Sequence, residues 1–326
     1  MSEPYQYLVP PPFVWKSKST DPMDVKVNQL IQEHIPGQSF GVGLIGVPLS
    51  RSSISPSAAS ENPHAIRSIW KSFTTYNIDY DIDLSCLQIA DLGDIKMHVT
   101  DIPRCHQNIE NGMVEVFEKN LPFLPISIGG DHSITNPLVK GIKKHLGDPK
   151  IGIIQFDTHF DLRNLQDGGP SNGTPIRGLI ESNAIEGQHV VNIGLHGYFN
   201  AFALKKYADE HHVKYVTLRE ARKKGIEQVV QEAIQYLSER VEYIYVTVDI
   251  DVLDIAFAPA APASTPGGMY SWELFEAVYL LGQEQKVYAM DIVCLDPNRD
   301  HRDLITVKTG AHVILNFLCG YTKRNS

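Results

Sequence analysis

Cysteine is scarce in this sequence, with only four residues in a chain of 326, namely Cys86, Cys105, Cys294 and Cys319. None of the four lies in a C-x-x-C pair, so the spacing predicts neither a disulfide framework nor a cysteine-type zinc cluster. Few and unpaired cysteines are typical of a reducing compartment. We therefore expect a cytoplasmic protein.

Long apolar runs and blocks of like charge are also missing. No hydrophobic stretch approaches the roughly 18 residues that a transmembrane helix needs. The first 40 residues have no basic segment followed by an apolar one, so we expect no signal peptide. The net charge of −9 is spread without a long acidic or basic tract, which argues against nucleic acid and membrane as partners. A small-molecule substrate remains as the expected partner.

The sequence does contain eight hydrophobic runs that indicate buried strands. Val, Ile, Leu and Phe dominate most of them, and a strand that is apolar on both faces belongs in a parallel sheet covered by helices. The predicted strands span residues 40–48, 88–95, 124–130, 150–157, 190–197, 213–218, 243–251 and 287–296.

Helical patterns alternate with these strands, and alternation without a polar linker predicts one α/β domain. We assign this domain to residues 40–326 and expect residues 1–39 to pack on it as an arm. Pattern alone leaves an open sheet and a closed eight-stranded barrel as alternatives, although both place active sites at the carboxyl ends of their strands. The predicted helices span residues 64–75, 110–119, 136–146, 198–211, 219–240, 271–284 and 303–318.

Acidic and histidine side chains alternate at the ends of two of the predicted strands. The first set is Asp157, His159 and Asp161, and the second is Asp249 and Asp251. In extended backbone, residues i, i+2 and i+4 point to the same side, so the members of each set converge. This layout predicts a two-metal site.

His132 is a sixth candidate ligand, because paired glycines at 129–130 deliver it just beyond another strand end. Carboxylates can bridge two divalent cations and imidazoles complete their shells, and the absence of cysteine ligands favours manganese over structural zinc. Two such cations, roughly 3.5–4 Å apart, would share a water molecule and lower its pKa, so a metal-assisted hydrolase is predicted. A lone Asp-x-Asp is more often a helix cap or turn. The joint occurrence of three such elements at strand ends favours the metal site.

Three segments that carry these residues resemble the signatures of the ureohydrolases, the superfamily of arginase, agmatinase and formimidoylglutamase. They are residues 128–133 (Ile-Gly-Gly-Asp-His-Ser), 157–161 (Asp-Thr-His-Phe-Asp) and 247–251 (Thr-Val-Asp-Ile-Asp). The likeness runs from about residue 40 to the C-terminus. It implies a three-layer α/β/α sandwich with an eight-stranded, mainly parallel sheet, and a homo-oligomeric enzyme.

The resemblance also implies a centre of two Mn²⁺ ions, with Ni²⁺, Co²⁺ or Zn²⁺ as alternatives. One ion would be held by His132, Asp157, Asp161 and Asp249. The other would be held by Asp157, His159, Asp249 and Asp251, so that Asp157 and Asp249 bridge. Asp161 would also serve catalysis by accepting a hydrogen bond from a bridging hydroxide, the nucleophile that attacks the amidine carbon.

The segment after the first ligand set distinguishes the branches of the superfamily. Arginases have Asn where Arg163 stands and a Ser-Gly-Asn-x-His segment in the following loop, and that histidine is absent here. Arg163 and the loop 171–177, Ser-Asn-Gly-Thr-Pro-Ile-Arg, look instead like formimidoylglutamases. We therefore expect hydrolysis of N-formimidoyl-L-glutamate to L-glutamate and formamide, a step of histidine degradation. The expected substrate-binding residues in this region are Arg163, Ser171, Asn172 and Arg177.

Physical chemistry agrees with an acidic substrate, because a guanidinium fork binds a carboxylate bidentately. The alternative is that Arg163 or Arg177 forms a salt bridge with a nearby loop acid such as Asp167 or Glu181.

Cys294 departs from the family, which usually carries a Glu at this position to hold the cationic amidine or guanidine. Three interpretations are open. Cys294 lines an altered substrate pocket, or it is a small buried apolar residue, or the chain is a metal-binding relative with altered catalysis. Asp296 lies on the same face if the strand continues, and is a candidate for the missing charge. The alternative functions are therefore hydrolysis of another guanidino or amidino substrate, and a catalytically altered relative. A two-metal phosphoesterase is disfavoured by the lack of a phosphate-cradling glycine loop.

Overall fold

A sheet of ten strands organises the part of the chain that the computed structural model describes, residues 5–16 and 20–325. Two further strands, β4 and β5, form a separate hairpin. The strands are β1 (Leu8–Val9), β2 (Ile31–Glu33), β3 (Val42–Val47), β4 (Tyr76–Asn77), β5 (Ile82–Asp83), β6 (Ile89–Ile95), β7 (Leu124–Gly129), β8 (Ile151–Phe156), β9 (Val190–Leu195), β10 (Lys214–Thr217), β11 (Tyr243–Asp249) and β12 (Val287–Val293). The eight predicted strands are all present, and four strands, β1, β2, β4 and β5, were not predicted.

The strand order of the large sheet is β1-β6-β3-β7-β12-β11-β8-β9-β10, and β2 also pairs with β6. Within this sheet β1 runs antiparallel to β6, whereas the other described pairs are parallel. The sheet is open at β10, whose partner is β9. The open sheet is therefore the correct alternative, and the barrel is excluded.

Helices cover both faces of the sheet. One apolar cluster joins the sheet to α2 and α7–α10, and a second joins the opposite face to α3–α6. The described α-helices are α1 (Val27–Leu30), α2 (Asn62–Ile69), α3 (Ile102–Lys119), α4 (Thr135–His145), α5 (Pro175–Glu181), α6 (Phe202–Glu210), α7 (Leu218–Lys224), α8 (Ile226–Ser238), α9 (Ser271–Gln283) and α10 (Ile305–Thr322). The predicted three-layer α/β/α architecture is confirmed. No helix in the described ranges has the length and apolarity needed to cross a membrane.

The prediction of one helix over residues 219–240 is wrong, because the segment forms two helices, α7 and α8. Gly225 separates them with φ +91°, a conformation that glycine adopts without the steric cost of a side chain. The apolar spacing continues across this break, so periodicity could not show it. The short helices α1 and α5 were not predicted at all.

The N-terminal segment contributes β1 and β2 to the sheet edge beside β6. Tyr5 and Leu8 are buried, and the backbone N–H groups of Gln6 and Tyr7 donate to Glu115 at 2.7 and 2.9 Å. Residues 1–4 and 17–19 of the expected arm lie outside the described residues. The division of the chain after residue 39 stays a prediction.

Arg67 ties α2 to β6 through a buried ion network. Its Nε and Nη2 atoms bind the two carboxylate oxygens of Asp91 at 2.7 and 2.8 Å, and its Nη1 binds Asp94 at 2.6 Å. Burial alone would lower the pKa of Arg67, but the two aspartates outweigh it and raise the pKa above its usual value. A buried charge of this kind is stable only while its partners remain.

Replacing Arg67 by alanine is expected to lower the free energy of unfolding by about 3–5 kcal/mol, because both aspartates lose their counter-charge. Urea denaturation at neutral pH measures the change. Arg219→Ala, at an exposed position of α7, is the matched control and should stay within about 0.5 kcal/mol of the wild type. Equal losses in the two variants would contradict the assignment.

Candidate metal centre

Four neighbouring strands deliver polar side chains to one edge of the sheet. β7, β12, β11 and β8 lie side by side in that order, and parallel strands end at the same edge. His132 follows β7, Cys294 follows β12, Asp249 ends β11 and Asp157 follows β8. The convergence of these residues is therefore a consequence of strand order.

The geometry assumed for the alternating ligands is wrong, although the ligands do converge. The extended backbone stops at Phe156 in β8 and at Asp249 in β11, and Ile250–Val252 forms a short 3₁₀ turn. Asp161 has φ +55°, in the left-handed region. The side chains meet because the chain curls around the site after each strand.

His132 is fully buried, and three carboxylate oxygens surround its Nδ1 atom. Oδ2 of Asp161 lies 2.7 Å away, and the Oδ2 atoms of Asp157 and Asp249 each lie 3.2 Å away. Despite this proximity, neither His132 Nδ1 nor Asp161 Oδ2 has a hydrogen-bond partner in the described part of the chain. Buried nitrogen and oxygen donors that converge without bonding to one another fit a divalent cation.

A second group of ligand atoms lies around His159. Its Nδ1 atom is 3.2 Å from Oδ1 of Asp157 and 3.1 Å from Oδ2 of Asp251. Within this group, and within the group of His132, Asp157 and Asp249, the ligand atoms all lie within 4.8 Å of one another. Asp157 belongs to both groups and turns one oxygen to each histidine. The residues thus suit two cations that share one carboxylate.

Hydrogen bonds hold the carboxylates of both groups in place. Oδ1 of Asp249 accepts from the Asp251 N–H at 3.0 Å, and Oδ1 of Asp251 accepts from the Thr158 N–H at 3.3 Å. Oδ2 of Asp157 accepts from the Gln155 side-chain amide at 2.7 Å. The orientation of the ligands is therefore set by the protein before any cation binds.

Two asparagines fix the loop that carries the first ligand set. The side chain of Asn200 accepts from the Phe160 N–H at 2.9 Å and donates to the Thr158 carbonyl at 2.8 Å. The Asn192 amide donates to the His159 carbonyl at 2.7 Å. These bonds take the place of strand pairing, which stops before the loop.

A buried hydrogen-bond chain defines the tautomer of His132. Thr247 Oγ1 donates its proton to Asp291 at 2.6 Å, so the His132 Nε2–H, 2.9 Å away, must donate to Thr247. Asp291 also accepts from the hydroxyls of Thr135 and Tyr245, both at 2.7 Å. Because Nε2 carries the proton of the neutral ring, the lone pair of His132 Nδ1 is available to bind a cation.

The raised pKa values of the ligand residues show that the centre has too little positive charge to balance its carboxylates. Burial alone would lower the pKa of His159, but Asp251 and Asp157 raise it to about 12. The pKa of His132 is likewise raised well above its usual value, against burial, by the carboxylates around it. Burial, reinforced by two neighbouring aspartates, raises the pKa of Asp249 to about 8. Protons on these groups balance the carboxylates, and divalent cations can replace them.

A cavity of about 270 Å³ opens onto these carboxylates, and Arg163 and Asn172 line it. The Arg163 guanidinium forms no ion pair with any residue in the described ranges. Its backbone N–H donates to the Gly173 carbonyl at 2.9 Å, and a Cβ at Gly173 would lie only 2.7 Å from Arg163 Cδ. Oδ1 of Asn172 accepts from the Ile54 N–H at 2.8 Å, which fixes this side chain in the cavity wall. Arg163 therefore brings a positive charge, with no ion-pair partner among the described residues, to the same cavity as the metal-type ligands.

Arg177 and Ser171 do not join this cavity. The Nε of Arg177 donates to Glu181 at 2.6 Å, and its guanidinium lies over the Tyr207 ring at 4.3 Å. The structure therefore has the salt bridge that was the alternative for Arg177. The backbone N–H and carbonyl of Ser171 both bond to Thr174 Oγ1, and Ser171 lines a different cavity.

Cys294 is buried beside Asp249. It has φ +63°, and its backbone N–H donates to the Gly130 carbonyl at 2.8 Å. Burial, with the charge of Asp249 next, raises the pKa of the Cys294 thiol well above its usual value, so the thiol is neutral. It does not line the cavity described above.

The suggestion that Asp296 supplies a charge to the centre is wrong. β12 ends at Val293, so the side chain does not continue the face of the strand. Asp296 accepts from the Ala58 N–H at 2.8 Å and pairs with Arg299 at 3.3 Å. Its charge stabilises a neighbouring turn.

The residues that position the ligands were not predicted from the sequence. Asp291 and Asn192 stand inside runs that are otherwise apolar, and a buried polar group in a strand requires partners. That signal could have identified both residues. Asn200 lies in an irregular loop and gave no comparable signal.

Comparisons with known proteins agree with this geometry. Residues 40–320 match the family model described as the arginase family. The chain is 47% identical to the formimidoylglutamase of Halalkalibacterium halodurans over 280 residues, which are 86% of this chain and 87% of that relative. The crystal structure of formimidoylglutamase from Bacillus subtilis has a TM-score of 0.89 at 39% identity and covers 94% of each chain. The structure of formiminoglutamase from Trypanosoma cruzi with Mn²⁺ has a TM-score of 0.83 at 23% identity, covers 92% of this chain and 99% of that one, and is alike in fold.

Adding Mn²⁺ to the metal-free protein at pH 7 is expected to release about three protons per chain, one each from His132, His159 and Asp249, because the pKa of Asp249 is raised to about 8. The raised pKa values of His132 and His159 mean that both imidazoles are protonated without metal, and Nδ1 must lose that proton to bind a cation. Affinity should therefore rise with pH. Calorimetry in buffers of different ionisation enthalpy measures the release.

The exposed His301→Ala variant is the control and should release as many protons as the wild type. Release that is undiminished when both His132 and His159 are replaced by glutamine would contradict this prediction.

Proposed function

The chain belongs to the arginase family, and from this we propose that it is a dimanganese hydrolase that converts N-formimidoyl-L-glutamate and water to L-glutamate and formamide. Relatives named formimidoylglutamase, at 47% and 39% identity over most of both chains, support this branch. The observation in this chain that carries the proposal is Arg163, which lies in the wall of the cavity that opens onto the ligand carboxylates and has no ion-pair partner within residues 5–16 and 20–325.

Two Mn²⁺ ions are the cofactor that we assign to the six candidate ligands. The sharing of Asp157 between two ligand groups supports two ions, and the related fold from Trypanosoma cruzi binds Mn²⁺. The first ion would be held by His132, Asp157, Asp161 and Asp249. The second would be held by Asp157, His159, Asp249 and Asp251. When bound, the ions supply Lewis acidity and lower the pKa of a water molecule at the centre. Ni²⁺, Co²⁺ and Zn²⁺ suit the same donors.

Asp161 is the residue that we assign to proton transfer. Burial, and then the charge of Asp157, raise the pKa of Asp161 to about 6. A bound cation would lower this pKa, so the Asp161 carboxylate would be ionised in the metal-loaded centre; it could accept a hydrogen bond from water at the centre, orient that water, and pass a proton to the leaving nitrogen of the substrate. The Asp161 carbonyl accepts from the Arg177 N–H at 3.3 Å, which supports the left-handed turn that directs the carboxylate toward His132. Arg177 thus contributes through its backbone.

Arg163 is the residue that we assign to a substrate carboxylate. The glutamate skeleton carries two carboxylates, and the aspartates of the centre would repel them unless a cation intervened. A guanidinium without an ion-pair partner can bind one of them bidentately. The amide of Asn172 can donate a further hydrogen bond, and Ile54 and Phe199 offer apolar walls to the methylene groups.

Cys294 distinguishes this centre from one with a glutamate at that position. Because the buried thiol beside Asp249 is neutral, it adds no anion to the site. We infer that the formimidoyl group is held by the ligand carboxylates and the cavity walls. Another amidino or guanidino substrate is the alternative function that this residue favours.

We also infer a cytoplasmic enzyme that assembles from several copies. The four cysteines are all free, which supports a reducing compartment. Tyr76, Ile78 and Trp272 expose large apolar surfaces around a cavity of about 510 Å³. An exposed apolar patch of this kind supports contact between copies of the chain.

A substrate panel tests the reaction. With Mn²⁺ the protein is expected to release formamide from N-formimidoyl-L-glutamate with a kcat/KM about 100-fold above those for arginine, agmatine and guanidinobutyrate. Mass spectrometry identifies the products. Urea from arginine, without formamide from formimidoylglutamate, would refute the proposal. A large gain in guanidine hydrolysis by Cys294→Glu, with no formamide from the wild type, would favour the alternative.

Arg163→Gln is expected to raise KM for formimidoylglutamate by about 10- to 100-fold with little change in kcat, because a charged hydrogen-bond partner of the carboxylate is lost. Arg177→Gln makes the same chemical change outside the cavity and serves as the control. Mn²⁺ binding should be unchanged in both variants. A larger KM effect from Arg177→Gln than from Arg163→Gln would overturn the assignment.

A further inference from the structure

A second cavity, of about 610 Å³, lies between α3, α4 and α5. It is separate from the cavity at the metal-type ligands, and the proposed reaction uses none of its charged residues. Its polar lining includes His106, Glu110, Ser133, Lys140, Ser171 and Thr174. We refer to it as the second cavity.

Two opposite charges line the second cavity without contacting each other. Lys140 on α4 and Glu110 on α3 are both partly buried, and neither forms an ion pair or a side-chain hydrogen bond with a residue in the described ranges. Burial lowers the pKa of Lys140, and the field of Glu110 partly opposes this shift. The two charges are therefore close enough to interact, yet a gap remains between them.

A zwitterion matches this arrangement. A carboxylate would meet Lys140, and an ammonium group on the adjacent carbon would meet Glu110 across the gap. Of the other charged groups in the lining, Lys144 is exposed at the rim, and Glu181 is already paired with Arg177.

His106 supplies a neutral hydrogen-bonding group to the same space. Burial, and then Lys140, lower the pKa of His106 to about 4, so its imidazole is uncharged at neutral pH. We propose that the second cavity binds the zwitterion of a free α-amino acid between Lys140 and Glu110.

Hydrogen bonds connect the second cavity to the metal cavity. His106 Nε2 lies 3.1 Å from Ser133 Oγ, which lies 2.8 Å from Ser52 Oγ. The Ser52 carbonyl accepts from the Asn172 N–H at 3.2 Å, and Asn172 lines the metal cavity. Ser133 is also the chain neighbour of His132.

The turn 171–175 forms a wall between the two cavities. Ser171 and Thr174 face the second cavity, whereas Asn172 and Gly173 face the metal cavity. A bound amino acid therefore affects the position of Asn172 beside Arg163. This effect on turnover rests on the proposed function, whereas binding of the amino acid does not.

Calorimetry on the full-length, Mn²⁺-loaded protein tests the binding, with L-histidine and glycine as ligands and acetate and ethylamine as half-ligands. The amino acids should bind more tightly than either half-ligand. Lys140→Gln and Glu110→Gln should each weaken binding about tenfold or more. The exposed Lys206→Gln on α6 and Glu118→Gln on α3 remove the same charges elsewhere and should leave binding unchanged.

Arg163→Gln shows which cavity the amino acid occupies, because this substitution weakens binding only when the ligand lies in the metal cavity. Binding that is lost in Arg163→Gln but kept in Lys140→Gln and Glu110→Gln would overturn the proposal. So would the absence of binding at tens of millimolar, unchanged affinity in both Lys140→Gln and Glu110→Gln, or acetate binding as tightly as glycine. These outcomes do not depend on which substrate the enzyme hydrolyses.

Discussion

The structure depends on one electrostatic constraint, the concentration of buried carboxylates at the carboxyl ends of adjacent parallel strands. Asp157, Asp161, Asp249 and Asp251 lie within a few ångströms of two imidazoles, and no lysine or arginine pairs with them in the described part of the chain. Buried charge of one sign is stable only when a cation or protons balance it. Metal binding, the bond network around the ligands and the need for a cationic substrate contact all follow from this constraint.

The fold meets the constraint by dividing the task between rigid and irregular parts. The strand order β7-β12-β11-β8 brings the ligand-bearing ends together, and the buried chain from His132 through Thr247 to Asp291 sets the imidazole orientation. The loops that follow carry the residues that face the substrate, such as Arg163. Loops on a rigid sheet can change substrate contacts without disturbing the metal ligands, which is consistent with one fold serving several amidine and guanidine hydrolases.

Much of this could be predicted from sequence because buried strands and ligand-type residues leave local signals. The eight central strands and the six converging side chains followed from hydrophobic runs and from polar residues at their ends. Other features did not follow, and three of them show why. The helix break at Gly225 lies inside an unbroken apolar pattern. The turn at Asp161 depends on a left-handed backbone conformation. Which of Arg163 and Arg177 is available to the substrate depends on the position of Glu181, which pairs with Arg177. Each is decided by backbone conformation or by contacts between distant residues, which spacing does not encode.

X-ray diffraction at the manganese absorption edge, from crystals of the Mn²⁺-loaded protein, would show whether the buried carboxylates hold two cations. We expect two anomalous peaks roughly 3.5–4 Å apart, with Asp157 contacting both ions. We also expect Nδ1 of His132 and Nδ1 of His159 to bind different ions. A single peak, or both histidines on one ion, would show that the buried carboxylates do not form a two-metal centre.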